Sequence, residues 1–123
     1  RYDQAFADLA YLRTPFVDLD YEHGYQSYPC LFEPEETSLD RVKAINEKRN
    51  NWMDELQDSG ISTRPSTHAV HMLSFYRAKY KLNSRDFPSA NLADQCSISI
   101  PIFHGMKEEE QDFVIDKIME FNL

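Results

Sequence analysis

Apolar residues recur at helical spacing along several stretches of the chain. Tyr2, Phe6, Leu9 and Leu12 follow one another at steps of three and four, which predicts a helix over residues 1–12, the tail of a longer one. The most extensive stripe predicts a helix over residues 38–59. Its apolar members are Leu39, Val42, Ile45, Trp52, Met53 and Leu56.

The ends of the 38–59 helix carry recognisable signals. Thr37 is placed to accept hydrogen bonds from the first-turn amides, and Asp40 follows three residues later as in a capping box. Gly60 is a suitable C-terminal stop because glycine adopts a left-handed conformation without a steric penalty. We therefore expect Thr37 to be the N-cap residue and Gly60 to end the helix.

Three further helices are predicted in the second half of the chain. They cover residues 68–80, 87–94 and 107–121. The last begins with three glutamates, Glu108 to Glu110, at the end where the helix dipole favours negative charge. We expect its buried side to consist of Val114, Ile118 and Phe121.

Alternation of side chains predicts the strands. Residues 23–32 alternate and are rich in tyrosine, but Pro29 limits this strand to a sheet edge or an interrupted ladder. Residues 97–102 alternate Ser or Pro with Ile, so Ile98, Ile100 and Ile102 are expected to face the core. Residues 61–64 are predicted to form a short strand that ends at Pro65, and an irregular connection is expected around Pro15.

This order of elements predicts an α/β (α+β) fold with a small, mostly antiparallel sheet of about three strands covered by helices. A chain of 123 residues is the usual size of one domain. Its net charge of −8 argues against a nucleic-acid partner, and no apolar run is long enough to span a membrane. Cys30 and Cys96 lie in apolar, strand-like contexts, so we expect buried free thiols in a reducing cytoplasm.

Residues 60–71 contain the most chemically capable side chains. Arg64 offers a guanidinium for a carboxylate or phosphate, while His68 and His71 offer imidazoles for a hydroxyl or an acid. The alternative is that the two histidines simply cap and line the start of a helix. A metal site would need two more ligands near His68 and His71, and the sequence supplies none nearby. Neither cysteine has the neighbouring base that a nucleophile needs.

The same segment carries a family resemblance. Residues 60–80, G-I-S-T-R-P-S-T-H-A-V-H-M-L-S-F-Y-R-A-K-Y, resemble a stretch of the DegT-type nucleotide-sugar aminotransferases. Further blocks follow in the same order, with one more upstream. They are Gly24 to Tyr28, Asp86 to Ala90, Ser99 to Phe103 and Met106 to Gln111.

The resemblance implies a fold-type I enzyme that depends on pyridoxal 5'-phosphate (PLP) and whose C-terminal small domain is this chain. Residues 1–14 would end the interdomain helix, and residues 15–123 would form the small domain. A preceding domain would hold PLP and the Schiff-base lysine, so this chain alone would be inert, with no catalytic, cofactor-binding or metal-binding residue. The cleft candidates are Arg64, Thr67, His68 and His71.

The resemblance also implies a reaction and partners. A cytoplasmic homodimer would transfer an amino group, typically from glutamate, to a keto-sugar linked to a nucleotide. Such a reaction belongs to cell-surface polysaccharide or amino-sugar biosynthesis. The partners would be the PLP domain of the same chain and the nucleotide sugar, with no nucleic acid and no membrane. An exposed apolar patch is expected near residues 64–71 and the first helix.

Three residues qualify the resemblance. Ser74 to Lys79 has the Ser-Phe-x-x-x-Lys spacing of the family's lysine, but the Gly-rich turn that should follow is missing, so Lys79 is interpreted as a surface residue. Ser66 and Lys107 replace a His and a Ser or Thr of many members. The alternatives are a binding or oligomerisation module without catalysis and an independent metal-dependent or hydrolytic enzyme built on His68 and His71.

Overall fold

The computed structural model describes residues 1–121. Within these residues, five α-helices and three strands account for the fold. The helices are α1 (Tyr2–Ala5), α2 (Val42–Asp58), α3 (Ser74–Tyr80), α4 (Pro88–Cys96) and α5 (Glu108–Met119), and the strands are β1 (Leu12–Arg13), β2 (Tyr28–Phe32) and β3 (Ser97–Ile100). Short 3-10 turns occupy Pro34–Glu36 and Val70–Met72. In the described part of the chain, no helix is both long and apolar enough to cross a membrane.

The three strands form one antiparallel sheet in the order β1-β2-β3. The predicted fold class, a small antiparallel sheet covered by helices, is confirmed. Pro29 lies in the middle strand and not at an edge. The central position is tolerated because β1 pairs only with Leu31 and Phe32, so the ladder on that side ends before it reaches Pro29. The interrupted ladder expected from Pro29 is therefore observed.

The core lies between this sheet and helices α2, α4 and α5. Ile98 and Ile100 of β3 are buried as expected, while Ile102 is partly buried just beyond the strand. Aromatic rings dominate one end, where Trp52 of α2 stacks on Phe32 at 5.3 Å between centroids and lies tilted against Phe121 at 5.0 Å. Such ring pairs add to the free energy gained from burying their area. They connect α2, β2 and the residue Phe121, just beyond α5, in one cluster.

The helix expected over residues 1–12 is much shorter in the structure. It ends at Ala5, and the chain then turns, with the amide of Leu9 donating to Phe6 and that of Leu12 to Leu9. Leu12 instead enters β1 opposite Phe32. The apolar residues are buried as the pattern requires, since Leu12 fills the core equally well from a strand. Pairing with β2 therefore overrides the helical periodicity.

The start of α2 was predicted wrongly. The helix begins at Val42 after Arg41, and no side chain caps it. Thr37 ends the preceding 3-10 turn, where its hydroxyl donates to the carbonyl of Glu33 at 2.9 Å. Asp40 accepts instead from Arg85 at 3.0 Å. The helix end is confirmed, because Gly60 has φ 84° and follows the last turn directly.

The helix expected over residues 68–80 is divided. Residues Val70–Met72 form a 3-10 turn, Leu73 is extended, and α3 starts only at Ser74. Helix α4 lies close to its predicted place, and α5 matches its predicted range apart from its last residues. Lys107 is the N-cap of α5, and its amide donates to the carboxylate of Glu110 at 2.8 Å. Glu110 thus compensates in part for the absent Ser or Thr.

A buried arginine connects the layers. Arg49 lies on the inner side of α2, where its guanidinium donates to the carbonyls of Asp94 at 3.1 Å and Ser97 at 2.7 Å. Burial lowers the pKa of this guanidinium, an effect opposed by the nearby Cys96 and Asp94. Because these carbonyls lie at the junction of α4 and β3, Arg49 fixes α2 against the strand that borders the candidate site.

Candidate substrate cleft

The candidate segment begins where α2 ends and is held along the free edge of β3. After Gly60, the buried Ile61 anchors the chain, and its amide donates to Leu56 at 2.8 Å. The expected strand over residues 61–64 is reduced to one bridge between Arg64 and Ser99. In that bridge the amide of Ser99 donates to the carbonyl of Arg64 at 2.7 Å. The backbone of Arg64 is therefore fixed while its side chain is exposed.

Arg64 borders a small polar cleft of about 260 Å³. The cleft is lined by Gln26, Ser27, Ser62, Thr63, Arg64, Ser99, Ile100, Pro101 and Ile102. Within residues 1–121, the guanidinium of Arg64 has no ion-pair partner, and the buried hydroxyl of Thr63 has no hydrogen-bond partner. A free cation among hydroxyls and an amide suits an anionic group that also carries hydroxyls.

The two histidines line a different groove, of about 430 Å³, beside α3. His71 is 5% exposed, packs on Phe87 at 5.2 Å between centroids, and has no hydrogen-bond partner for Nε2 among the described residues. His68 is exposed, with Nδ1 3.7 Å from Oδ1 of Asp94. The remaining walls are mostly aromatic and aliphatic: Val70, Tyr76, Tyr80, Leu82, Phe87 and Ala90.

The four candidates therefore do not share one cavity. Arg64 lines the polar cleft, His68 and His71 line the α3 groove, and Thr67 is exposed and lines neither. Neither histidine caps α3, which begins three residues after His71 and lacks a side-chain cap, but His71 does lie within the 3-10 turn Val70–Met72. Whether the four residues bind substrate stays a prediction.

Ser66, at a position where the resemblance implies a His in many members, is bound to the sheet. Its amide donates to Oγ of Ser97 at 3.2 Å, and its hydroxyl accepts from that of Ser99 at 3.0 Å. These contacts hold Ser66 against β3 and fix the path of the chain between Arg64 and His68. The small side chain thus has a structural role at this position.

Sequence reasoning missed most of the polar cleft. Gln26 and Ser27 precede β2 in an irregular stretch that was expected to be strand. It also missed an apolar cavity of about 640 Å³ between residues 60–62, residues 101–106 and α5. Ile102 and Phe103 line it, and the Ile-Pro-Ile-Phe run was a usable signal because Pro101 ends the strand before its last apolar residues.

The two cysteines and Lys79 line neither the polar cleft nor the α3 groove. Burial, helped by Asp3, raises the pKa of Cys30 to about 12, and burial also raises the pKa of Cys96. Both are buried free thiols, so they remain protonated near neutral pH. Lys79 is exposed on α3, where its amine lies over the rings of Phe75 and Tyr80. Among residues 1–121, no group of three or more His, Cys, Asp or Glu side chains is arranged to hold a metal.

The apolar exposure expected near residues 64–71 is present, but not beside the first helix. Val70 and Leu73 are about half exposed, next to the α3 groove. Tyr2 and Phe6 of the first helical segment are buried in the core. The first helix therefore presents mainly polar side chains to solvent.

A known family matches this chain over nearly all of its length. The model of the DegT/DnrJ/EryC1/StrS aminotransferase family matches residues 1–119. The uncharacterized protein MJ1066 of Methanocaldococcus jannaschii is 29% identical over 117 residues, which are 95% of this chain and 28% of that protein. The spore coat polysaccharide biosynthesis protein SpsC of Bacillus subtilis is 24% identical over 120 residues, 98% of this chain and 29% of that protein.

Solved structures show the same fold. The aminotransferase TlmJ from Streptoalloteichus hindustanus matches with a TM-score of 0.75 at 19% identity, over 96% of this chain and 28% of that one. PseC of Helicobacter pylori, an aminotransferase involved in pseudoaminic acid biosynthesis, matches with a TM-score of 0.77 at 16% identity, over 97% of this chain and 29% of that one. The chain thus spans less than a third of the length of the relatives it matches.

Proposed function

Because the chain belongs to the DegT/DnrJ/EryC1/StrS aminotransferase family, we propose that it is the C-terminal domain of a PLP-dependent sugar aminotransferase. Two observations together carry the proposal. The family model matches residues 1–119, and this chain covers only 28–29% of the length of the two relatives MJ1066 and SpsC. The substrate would be a keto-sugar linked to a nucleotide, with glutamate as amino donor, and the enzyme a cytoplasmic homodimer. Residues 1–14 would link this domain to the preceding one.

We propose that none of the lysines of this chain is the PLP-binding lysine. Lys48 pairs with the buried carboxylate of Glu33 at 2.7 Å, and Lys117 pairs with Glu120 at 2.6 Å. The other four, Lys43, Lys79, Lys81 and Lys107, are exposed. None of the six lines either candidate cavity. The proposal therefore places the cofactor and its lysine in the preceding domain, and this chain would contribute binding surface.

Arg64 is the residue proposed to contact substrate most directly. Its backbone is fixed to β3 through Ser99, while its guanidinium is free at the mouth of the polar cleft. A charge-assisted, two-pronged contact of guanidinium with carboxylate or phosphate is the strongest that this cleft can offer. The anionic group would be the carboxylate of the amino donor or a phosphate of the nucleotide.

Thr67, His68 and His71 are proposed to line the same cleft in the complete enzyme. His68 and His71 border the α3 groove, and the exposed Thr67 lies between them and Arg64 along the chain. The preceding domain would close the space between the polar cleft and this groove. His71 would then donate or accept one hydrogen bond through Nε2, which has no partner within residues 1–121.

The complete polypeptide tests this function. Sequencing upstream of Arg1 should find a PLP domain with a Ser-Phe-x-x-x-Lys segment, and the full-length protein should transfer the amino group of glutamate to a keto-sugar nucleotide. The chain of residues 1–123, purified alone, should neither retain PLP after dialysis nor show activity. An upstream region without such a lysine would refute the proposal and favour the alternative of a binding or oligomerisation module.

A further inference from the structure

Two side chains of the polar cleft come from the irregular stretch before β2. Gln26 and Ser27 line the cleft together with Arg64. Within residues 1–121, the amide of Gln26 and the hydroxyl of Ser27 have no hydrogen-bond partner, so both are free to donate to a ligand. They add to the guanidinium of Arg64 as binding groups, provided that the chain holds them at the cleft.

The C-terminal end of this stretch is fixed by Tyr28, the first residue of β2. Its side chain is buried, its backbone pairs with Ile100 of β3, and its hydroxyl donates to the carboxylate of Asp3. The N-terminal end belongs to no helix and no strand. Gln26 and Ser27 therefore depend on a second restraint, which lies just before them.

The second restraint is a contact between His23 and Tyr25. The amide of Tyr25 donates to Nδ1 of His23 at 2.8 Å, and the two rings pack at 4.6 Å between centroids. The hydrogen bond requires that Nδ1 carries no proton, so the imidazole is neutral with its proton on Nε2. This contact closes a tight turn around Gly24.

The backbone of Tyr25 is in an unusual conformation. Among residues 1–121, three residues other than glycine have a positive φ, and two of them lie at helix ends: Lys81 is the C-cap of α3, and Glu33 precedes a 3-10 turn. Tyr25, with φ 44°, borders neither a helix nor a strand. An aromatic residue rarely adopts this region, because its Cβ crowds the backbone. Such strained residues persist where the surroundings hold them, and they are typical of binding sites.

The conformation of Tyr25 determines where Gln26 and Ser27 lie. These two residues occupy the short connection between Tyr25 and the fixed Tyr28. A change of Tyr25 to the usual negative φ would alter the direction in which the chain leaves the turn. Since Tyr28 is held by the sheet, the displacement would fall on Gln26 and Ser27.

We propose that His23 is a positioning residue of the polar cleft. Through its hydrogen bond to the amide of Tyr25, it holds the left-handed turn and thereby presents Gln26 and Ser27 to the anionic group that Arg64 binds. His23 does not line the cleft itself, so it acts through Tyr25. The inference rests on the proposed function for its ligand, which is the carboxylate of the amino donor or a phosphate of the nucleotide.

Hydrogen exchange and NMR on the 123-residue chain test the positioning without substrate or PLP. His23→Phe keeps a ring beside Tyr25 but removes the acceptor, so the Tyr25 amide should exchange about tenfold faster or more. The strong contact between the amide and Hα protons that marks a positive φ should also weaken at Tyr25. His23→Asn offers an amide oxygen near the position of Nδ1 and should preserve both signals. An unchanged Tyr25 amide in His23→Phe would overturn the proposal, whatever the activity of the full-length protein.

Kinetics of the full-length enzyme test the effect on the ligand. Amino transfer proceeds in two half-reactions, so KM for glutamate and KM for the keto-sugar nucleotide are measured separately. His23→Phe should raise about tenfold the KM of one substrate, the same one that Arg64→Gln affects, with kcat nearly unchanged. That substrate identifies the anion as the carboxylate or the phosphate.

Two further variants separate positioning from a general structural effect. His23→Asn should return this KM to within about twofold of the original value, because the acceptor is restored. His104→Phe makes the same change at an exposed histidine outside the cleft and should leave both KM values unchanged. A fall in kcat alone, an effect on the other substrate than Arg64→Gln affects, or no recovery in His23→Asn would overturn the proposal.

Discussion

The amide of Ser99 donates a 2.7 Å hydrogen bond to the carbonyl of Arg64, and this contact joins the core sheet to the candidate cleft. Ser99 is buried in β3, whereas the side chain of Arg64 is exposed beside a polar cavity. A rigid strand thus positions a free guanidinium, which is how binding groups are held at a precise location. The site depends on the sheet even though its residues lie in an irregular segment.

Replacement of Arg64 by Gln in the complete enzyme should weaken substrate binding without loss of stability. A charge-assisted hydrogen bond contributes about 1.5–3 kcal/mol, so KM should rise roughly tenfold to a hundredfold. The melting temperature should not move, because the guanidinium has no partner in the described chain to lose. Arg13→Gln is the matched control, since Arg13 is exposed at the opposite edge of the sheet. Equal effects of the two substitutions on KM would exclude a special role for Arg64.

Gly60→Ala should destabilise the domain by about 1 kcal/mol, because alanine is strained at φ 84°. No atom crowds the position of the added methyl group, so the loss comes from the backbone alone. Gly24→Ala serves as the control: its added methyl group is equally uncrowded, and Gly24 lacks a positive φ. Urea unfolding of both variants measures the difference, and equal stabilities would show that residue 60 does not need the left-handed conformation.

Arg49→Met should cost about 2–4 kcal/mol of the free energy of unfolding. The substitution leaves the carbonyls of Asp94 and Ser97 without their donor in a buried junction, and unsatisfied buried acceptors are costly. Arg13→Met removes only an exposed pair with Glu35 and should cost less than about 1 kcal/mol. Urea denaturation of both variants provides the test. A loss below that of Arg13→Met would show that Arg49 does not connect α2 to β3.

The free energy of unfolding should fall as pH rises above about 9. Burial raises the pKa of Cys30 to about 12 and that of Tyr11 to about 12, and it also raises the pKa of Tyr2 and Tyr28. Above the unfolded pKa values, from about 8.5 for Cys to 10 for Tyr, the unfolded chain binds fewer protons than the folded one. Stability is therefore fully present below these values and is lost as pH approaches 12.

Urea unfolding at pH 8 and about pH 10.5 checks this dependence. Cys30→Ala should reduce the loss between the two pH values by about 1–2 kcal/mol, because one raised pKa disappears. Removing the buried Cys30 side chain leaves a cavity that lowers stability at both pH values. The informative quantity is therefore the difference between the free energies of unfolding at the two pH values. An unchanged pH dependence in this variant would mean that the Cys30 thiol ionises as easily in the folded as in the unfolded chain.

The sequence was most informative where one physical requirement dominated. The apolar stripes of α2 and α5 predicted those helices because burying one helical face decides both the type of element and its orientation. Leu12 was misjudged because the same residue can fill the core from a helix or from a strand, and its partner Phe32 is distant in sequence. Thr37 was misjudged because its hydroxyl has a competing acceptor, the carbonyl of Glu33.

The candidate site was predicted less completely for a similar reason. Arg64, His68 and His71 were identified because a guanidinium and two imidazoles are concentrated within a few residues of the chain. Their separation into two cavities depends on the bridge to Ser99 and on the 3-10 turn at Val70–Met72, which sequence periodicity does not encode. Gln26 and Ser27 reach the cleft only through the tertiary path of the chain before β2.

The most direct test of the central claim compares the full-length protein with this chain. Both are purified, dialysed and examined for bound PLP by absorbance and for amino transfer from glutamate to a keto-sugar nucleotide. The account predicts bound PLP and activity for the full-length protein and neither for residues 1–123. A full-length protein without bound PLP or activity, or activity in residues 1–123 alone, would contradict it.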